Sequence, residues 1–383
     1  MRTTTIALAA ALLAASVAPG AAGGDARTTF GDVPRTYSHY LNAQEAALSR
    51  ANAAAGGVAA YFLNPAAASE VGGAEGQASV RYNVKSRDYL PDTANDRLDA
   101  EDDGFLFSQF VAAKRSGAWT LGFGYSAPAY RSLTLEGKQG GDGYVGDLQG
   151  SLRYFESILA TRIGTTGQGG IAIAAGLVSI SDSAAETIRG ATLERNVAEL
   201  SGTGISYAIG FVYDVVPNLT IGLGHRWSST ISVEGLRYGF QVNEADYKTQ
   251  STSVAGLRYQ PVESITVYAS YIQDGWDDAT AEFAPYVEEN GNRNLDDSIA
   301  TVAAGVEVML ADGRLALRSG GSSKLEGDVD DALVPGFAIG FGGTYFLQQY
   351  YFDAAVVRES FELGGMANQA MNYGFYLTAG YEF

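Results

Sequence analysis

The feature that most limits what this chain can fold into is a period of two. From about Gln77 onward, large apolar residues alternate with small or polar ones in segments of roughly ten, as a strand with two different faces requires. Ile205, Tyr207, Ile209, Phe211 and Tyr213 alternate with Ser206, Ala208, Gly210 and Val212; Trp119, Leu121, Phe123 and Tyr125 alternate with Thr120, Gly122, Gly124 and Ser126. The pattern runs to Tyr381 and Phe383. Such segments, from 77–85 to 372–383 and including 218–232 and 250–259, amount to about fourteen strands, an even number as in single-chain bacterial barrels.

The connections alternate in length. Short turns fall at Ser116-Gly117, 164–168, 215–217, 260–262, 311–312 and 348–349. Long loops are expected around 86–104, 129–150, 181–202, 233–249, 274–297, 321–335 and 362–371. Short periplasmic turns and long external loops are the asymmetry of an outer-membrane barrel. The expected fold class is therefore all-β: a transmembrane antiparallel β-barrel of about 14 strands with a small N-terminal helical plug. The expected location is the outer membrane of a Gram-negative bacterium, as a monomer set in outer-membrane lipid and lipopolysaccharide.

Composition agrees at the points where it discriminates. Mean hydropathy is −0.02, because a lipid-facing strand needs only alternate residues to be apolar. With no cysteine, disulfides hold nothing together and ladder closure must serve. A net charge of −18 excludes the basic face that nucleic-acid binding requires. The acids cluster in the first long loop (Asp88 to Asp103) and the fifth (Asp274 to Asp297), where they read as a solvated face or as oxygen ligands for divalent cations.

Arg2, an apolar run from Ile6 to Ala18 and small residues up to Ala22 read as a signal peptide over 1–22; the run is too short for the roughly 20 residues of a spanning helix. Residues 23–76 then form an N-terminal segment that does not alternate, before a barrel over 77–383. Leu41 to Ala55 is alanine-rich and favours helix up to Gly56-Gly57, and Pro65 removes a donor and restricts Asn64. A compact apolar segment at the short-turn end of a barrel can bury itself by plugging the lumen.

The stretch Tyr61-Phe62-Leu63-Asn64-Pro65-Ala66 resembles the plug signature of the FadL-type (OMPP1/FadL/TodX-like) outer-membrane transporters of long-chain fatty acids and other hydrophobic compounds. Similarity continues through Trp119 to Pro128, Gly210 to Tyr213, Arg226-Trp227-Ser228-Ser229, Glu234-Gly235, Arg318-Ser319-Gly320, Leu333-Val334-Pro335 and Ala379 to Phe383. The resemblance implies a plugged barrel admitting a hydrophobic small-molecule ligand by facilitated diffusion, with Tyr61, Asn64, Pro65 and Ala66 as the plug motif. Separately, the closing aromatic Phe383 at an outward position resembles the outer-membrane terminal strand read by the barrel-assembly machinery. PorV-like barrels share a similar start, and they leave open a structural barrel that docks a partner protein and transports nothing.

No enzyme, metal or cofactor is expected. His39 and His225, the two histidines, lie in different regions, and no cysteine or histidine pairing suggests zinc. Arg162, Arg226, Arg258 and Arg318 fall on the inward parity together with Glu156 and Glu307. They read as a lumen salt-bridge network, or as anchors for a ligand carboxylate, which guanidinium suits.

Overall fold

The computed structural model describes residues 40–93, 96–139, 142–164, 168–189, 193–237, 240–275, 298–326, 333–363 and 366–382. The signal segment, His39, Phe383 and most of the fifth acidic loop lie outside the described residues, as do the side chains of the first acidic loop.

Strands β1 (Ala74–Thr93), β2 (Asp96–Ser116), β3 (Trp119–Gln139), β4 (Asp142–Ile163), β5 (Gly169–Arg189) and β6 (Leu193–Val216) run in sequence order. Next come β7 (Leu219–Arg226), β8 (Thr230–Arg237), β9 (Phe240–Lys248), β10 (Ser251–Val262) and β11 (Ile265–Gly275). The last five are β12 (Ser298–Leu310), β13 (Leu315–Glu326), β14 (Leu333–Leu347), β15 (Tyr350–Leu363) and β16 (Met366–Glu382). All sixteen belong to one sheet. It closes where β1 pairs antiparallel with β16, from Glu75 opposite Glu382 to Ser86 opposite Met371. β5 pairs with β6, and β7 with β6 and β10, so the closed ring contains fourteen strands once the β8–β9 hairpin is set aside.

That hairpin continues β7 and β10 beyond a break. The expected strand 218–232 is interrupted at residues 227–229, where Ser228 Oγ donates to the Thr249 carbonyl (2.5 Å) and Thr249 Oγ1 accepts from the Ser229 amide (2.9 Å). Short hydroxyl side chains here take backbone partners from the ladder. The turn expected at 260–262 is also displaced. β10 runs through Pro261, which lacks a donor and coincides with a register shift, and the turn falls at Glu263-Ser264.

Most of the expected long loops are strand. β1 and β2 extend to Thr93 and Asp96, β3 and β4 to Gln139 and Asp142, and β5 and β6 to Arg189 and Leu193. Alternation fails in these tips, yet backbone pairing needs no side-chain pattern and continues.

The ring carries the two faces the sequence period requires. Phe123, Leu159, Ile173, Ile209 and Phe341 point outward and are exposed, as a lipid-facing band must be. Where Gly210 and Gly224 face inward, the outer surface bears an apolar depression of about 530 Å³ floored by Ile173, Phe211 and Leu223. Inside, residues 40–73 fill the lumen. Helix α1 (Ala43–Ala47) is much shorter than the alanine-rich stretch allows, because Ser49 and Arg50 adopt left-handed backbone (φ 50° and 68°) and fold the chain back. Packing in a narrow lumen overrides helix propensity here. A 3-10 helix, Pro65–Glu70, follows.

Candidate functional site

Asn42 caps α1, its side chain accepting from the Glu45 amide (2.9 Å) while its Nδ2 donates to the Ala59 carbonyl (2.8 Å) and to Gln109 Oε1 (3.0 Å). Asn64 repeats the device. Its Oδ1 accepts from the Ala66 amide (3.1 Å), and its Nδ2 donates to the carbonyls of Ala53 (3.0 Å) and Phe211 (3.1 Å). Pro65 takes the first helical position, where a missing N–H costs nothing. The Asn-Pro-Ala motif thus starts a helix and joins plug to wall with one amide.

Inward glycines let the plug touch the wall with its backbone. A Cβ on Gly210 would stand 2.2 Å from Asn64 Oδ1, and one on Gly340 would stand 2.0 Å from the Ala46 carbonyl. Val58, Tyr61, Ala66 and Ala68 pack into one apolar cluster with Val111, Ile158, Ala172 and Val212. At roughly 1.5–3 kcal/mol for each large buried apolar side chain, this packing seats the plug.

The four expected arginines all face the lumen side and bind protein. Arg226 pairs with Glu156, donates to the Phe62 carbonyl (3.3 Å), and lies 4.0 Å over the Phe62 ring and 4.9 Å over Tyr154. Arg162 donates to the Ser69 and Glu70 carbonyls (3.0 and 3.2 Å). Arg258 binds Glu70 (3.0 Å), and Arg318 binds Glu307 (2.6 Å) and Asp353 (3.1 Å). Arg162 and Arg258 therefore tie the 3-10 helix to the wall, and Arg226 ties down Phe62. The two expected roles, salt-bridge network and ligand anchor, compete for the same donors. Most of those donors are engaged by protein groups here, although Arg226 Nε is buried without a hydrogen-bond partner among the described residues.

A fifth arginine escaped the sequence reading. Arg50, in the plug, lies 3.7 Å from Glu45 and 3.7 Å from Asp274. Period-two parity applies only to strands, so nothing in the alanine-rich stretch marked it. Burial raises the Glu45 carboxyl to about 6, against the lowering effects of Arg50 and the Leu41 amide. Burial, then the Glu156 charge, push the Tyr61 phenol up. His225, on the outward parity, hydrogen-bonds Ser253 (2.9 Å) and meets the Trp227 ring edge-on.

The wall opens beside the plug. Glu101 pairs with Thr134 and Gln109 with Ser126, but residues 102–108 of β2 and 127–133 of β3 have no partner across that seam. The strands separate and rejoin in the same register. Both edges are bulged on their outer neighbours' side: β2 skips Ser108 against β1, and β3 shifts at Ala127-Pro128 against β4. A bulge bends its strand, and Pro128 has no N–H to donate, so the seam opens here.

Plug groups hold both edges at the base of this gap. Ser108 Oγ donates to the Leu41 carbonyl (2.7 Å), Asn42 meets Gln109, and the Tyr61 hydroxyl and Ser126 Oγ share a hydrogen bond of 2.5 Å. On the lumen side, Phe62 adjoins an apolar patch of Leu152, Tyr154, Val178, Ile180, Ile231 and Val233. Phe105 and Phe107 are exposed at the outer lip, and Phe107 stacks on Tyr125.

No family profile and no curated protein sequence matches the chain. Solved structures do. A Pseudomonas aeruginosa FadL homologue superposes with a TM-score of 0.70 at 14% identity, over 91% of this chain and 99% of that one. The Pseudomonas putida toluene transporter TodX gives 0.60 at 15% identity, over 88% and 98%. The Ralstonia pickettii toluene transporter TbuX likewise gives 0.60 at 15%, over 88% and 98%. At such identities the likeness is one of fold: this closed, plugged barrel shares the fold of those proteins over most of its length.

Proposed function

We propose that the chain is an outer-membrane channel that passes hydrophobic small molecules by facilitated diffusion, out of the lumen through the side of the barrel. The observation that carries this reading is the unpaired β2–β3 seam directly above the plug. A straight path along the axis is filled by plug backbone packed on inward glycines. The sideways path is bordered by Phe62 and the apolar patch inside and by Phe105 and Phe107 outside, so an apolar solute stays on apolar surface. Shared architecture with two proteins named as toluene transporters supports the same class of cargo. Long-chain fatty acids fall within that class at this level of description. In this reading the short turns face the periplasm, the barrel is a monomer among lipid and lipopolysaccharide, and the assembly machinery reads Phe383.

The test uses the absence of native cysteine. Leu106→Cys and Ala129→Cys are placed on the two edges of the seam and joined by a short cleavable bismaleimide in cells that lack other uptake routes for labelled naphthalene. Expression of the uncrosslinked protein should raise uptake well above that of empty cells, crosslinking should return it to the empty-cell rate, and cleaving the linker should restore it. Uptake no faster than in empty cells sinks the channel; unchanged uptake after complete crosslinking sinks the side exit.

A further inference from the structure

The charges around the plug follow a repeated arrangement. Arg50 stands between two carboxylates, Glu45 and Asp274, each at 3.7 Å. Arg258 stands between Glu70 at 3.0 Å and Asp214 at 3.9 Å. Arg318 stands between Glu307 at 2.6 Å and Asp353 at 3.1 Å. In each trio one guanidinium faces two carboxylates, so each carries one excess negative charge when ionised. Elsewhere on the inward face opposite charges occur together: Arg226 meets Glu156, and buried Arg81 is accompanied by buried Glu359.

One trio sits beside the permeant's route. Asp274 and Arg226 both flank Thr252 in the ladder register, so the Arg50 trio lies level with the Arg226 guanidinium that covers Phe62. Arg258 itself lines a polar cavity of about 320 Å³ with Thr220, Thr266 and Tyr268, near the short-turn end and away from that route. Charges held among buried groups act at low effective dielectric, where a like charge is repelled and a cation attracted more strongly than in water. Arginines that already hold two carboxylates have no net attraction to offer a third.

Building on the channel reading, we propose that this barrel selects its cargo by charge. It takes uncharged or cationic hydrophobic molecules and discriminates against carboxylate anions. The paired carboxylates Glu45 and Asp274 are the specificity-determining groups.

Three probes of equal chain length separate charge from hydrophobicity: 1-decanol, decanoate and decyltrimethylammonium. Their binding to the full chain in lipid nanodiscs is measured by titration calorimetry at pH 7.5, with empty nanodiscs subtracted. Decanoate should bind at least about tenfold more weakly than decanol, and the ammonium at least as tightly as decanol. Asp274→Asn keeps an acceptor for the Thr252 hydroxyl, so decanol binding should be unchanged while the decanoate deficit shrinks by about tenfold. Decanoate binding as tight as decanol overturns charge selection and leaves the channel reading intact. Equal decanoate deficits in wild type and D274N overturn the assignment to this trio's carboxylates. Saturable binding of none of the three overturns both readings.

Discussion

Asn64 has both ends of one side-chain amide in use: Oδ1 caps the 3-10 helix and Nδ2 reaches carbonyls in the plug and on β6. Asn64→Ala removes the cap and leaves the Ala53 and Phe211 carbonyls without this donor, a combined cost on the order of 2–3 kcal/mol. The expected outcome is a plug cut more readily by protease while the barrel keeps its resistance to unfolding by detergent and heat; equal plug protection in mutant and wild type contradicts it. Gly210 is the wall's half of the same contact. Gly210→Val drives a side chain into Asn64 and Ala66, and overpacking of this kind costs typically 1–3 kcal/mol. Limited proteolysis should therefore give a similar phenotype, and the double mutant should fall short of the sum because the two residues touch. The Asn-Pro-Ala motif was legible in the sequence as a plug signature. Its partner carbonyl on Phe211, 147 positions away, was not, since no local pattern records which strand a plug residue will meet.

At the scale of elements, period two located every strand of the ring, because a lipid face and a lumen face impose it residue by residue. It failed in the strand tips, where backbone pairing continues without it, and in α1, where lumen packing outweighs alanine's helix preference. α1 also carries a titratable group whose behaviour is set by burial. The Glu45 carboxyl lies above its ordinary value, at about 6 against 4.5, so the folded plug binds its proton more tightly than an unfolded plug does. The stabilisation from protonating Glu45 is present at low pH and is lost as pH rises through about 6. Between pH 7.5 and 5, seating of the plug should strengthen by on the order of 2 kcal/mol at most. Hydrogen exchange at residues 43–47, corrected for intrinsic rates, should slow correspondingly, and Glu45→Gln should flatten the dependence. A dependence unchanged in E45Q would assign it to another group.

For the whole molecule, the sequence carried the number of strands but not the hole in the wall. Pro128 within a strand pattern was visible; that its bulge acts together with the one at Ser108 to open a single seam depends on pairings no single strand reveals. The same holds for the plug's closure of the axis, which rests on wall glycines far apart in sequence meeting one short segment. If the plug fills the lumen, hydrophilic solutes are excluded by it and not by the ring. Deleting residues 40–73 removes that segment but leaves the β1–β16 closure and every ladder of the ring in place. The shortened chain should insert as a barrel and conduct ions in planar bilayers as a stable, large pore, whereas the intact protein should conduct little. In cells the deletion should admit large hydrophilic antibiotics and abolish the preference for hydrophobic probes, because a water-filled axis offers every small solute the same route. A deletion barrel that inserts but conducts no better than the intact protein would place the axial barrier in the strands and hairpins and take that role from the plug.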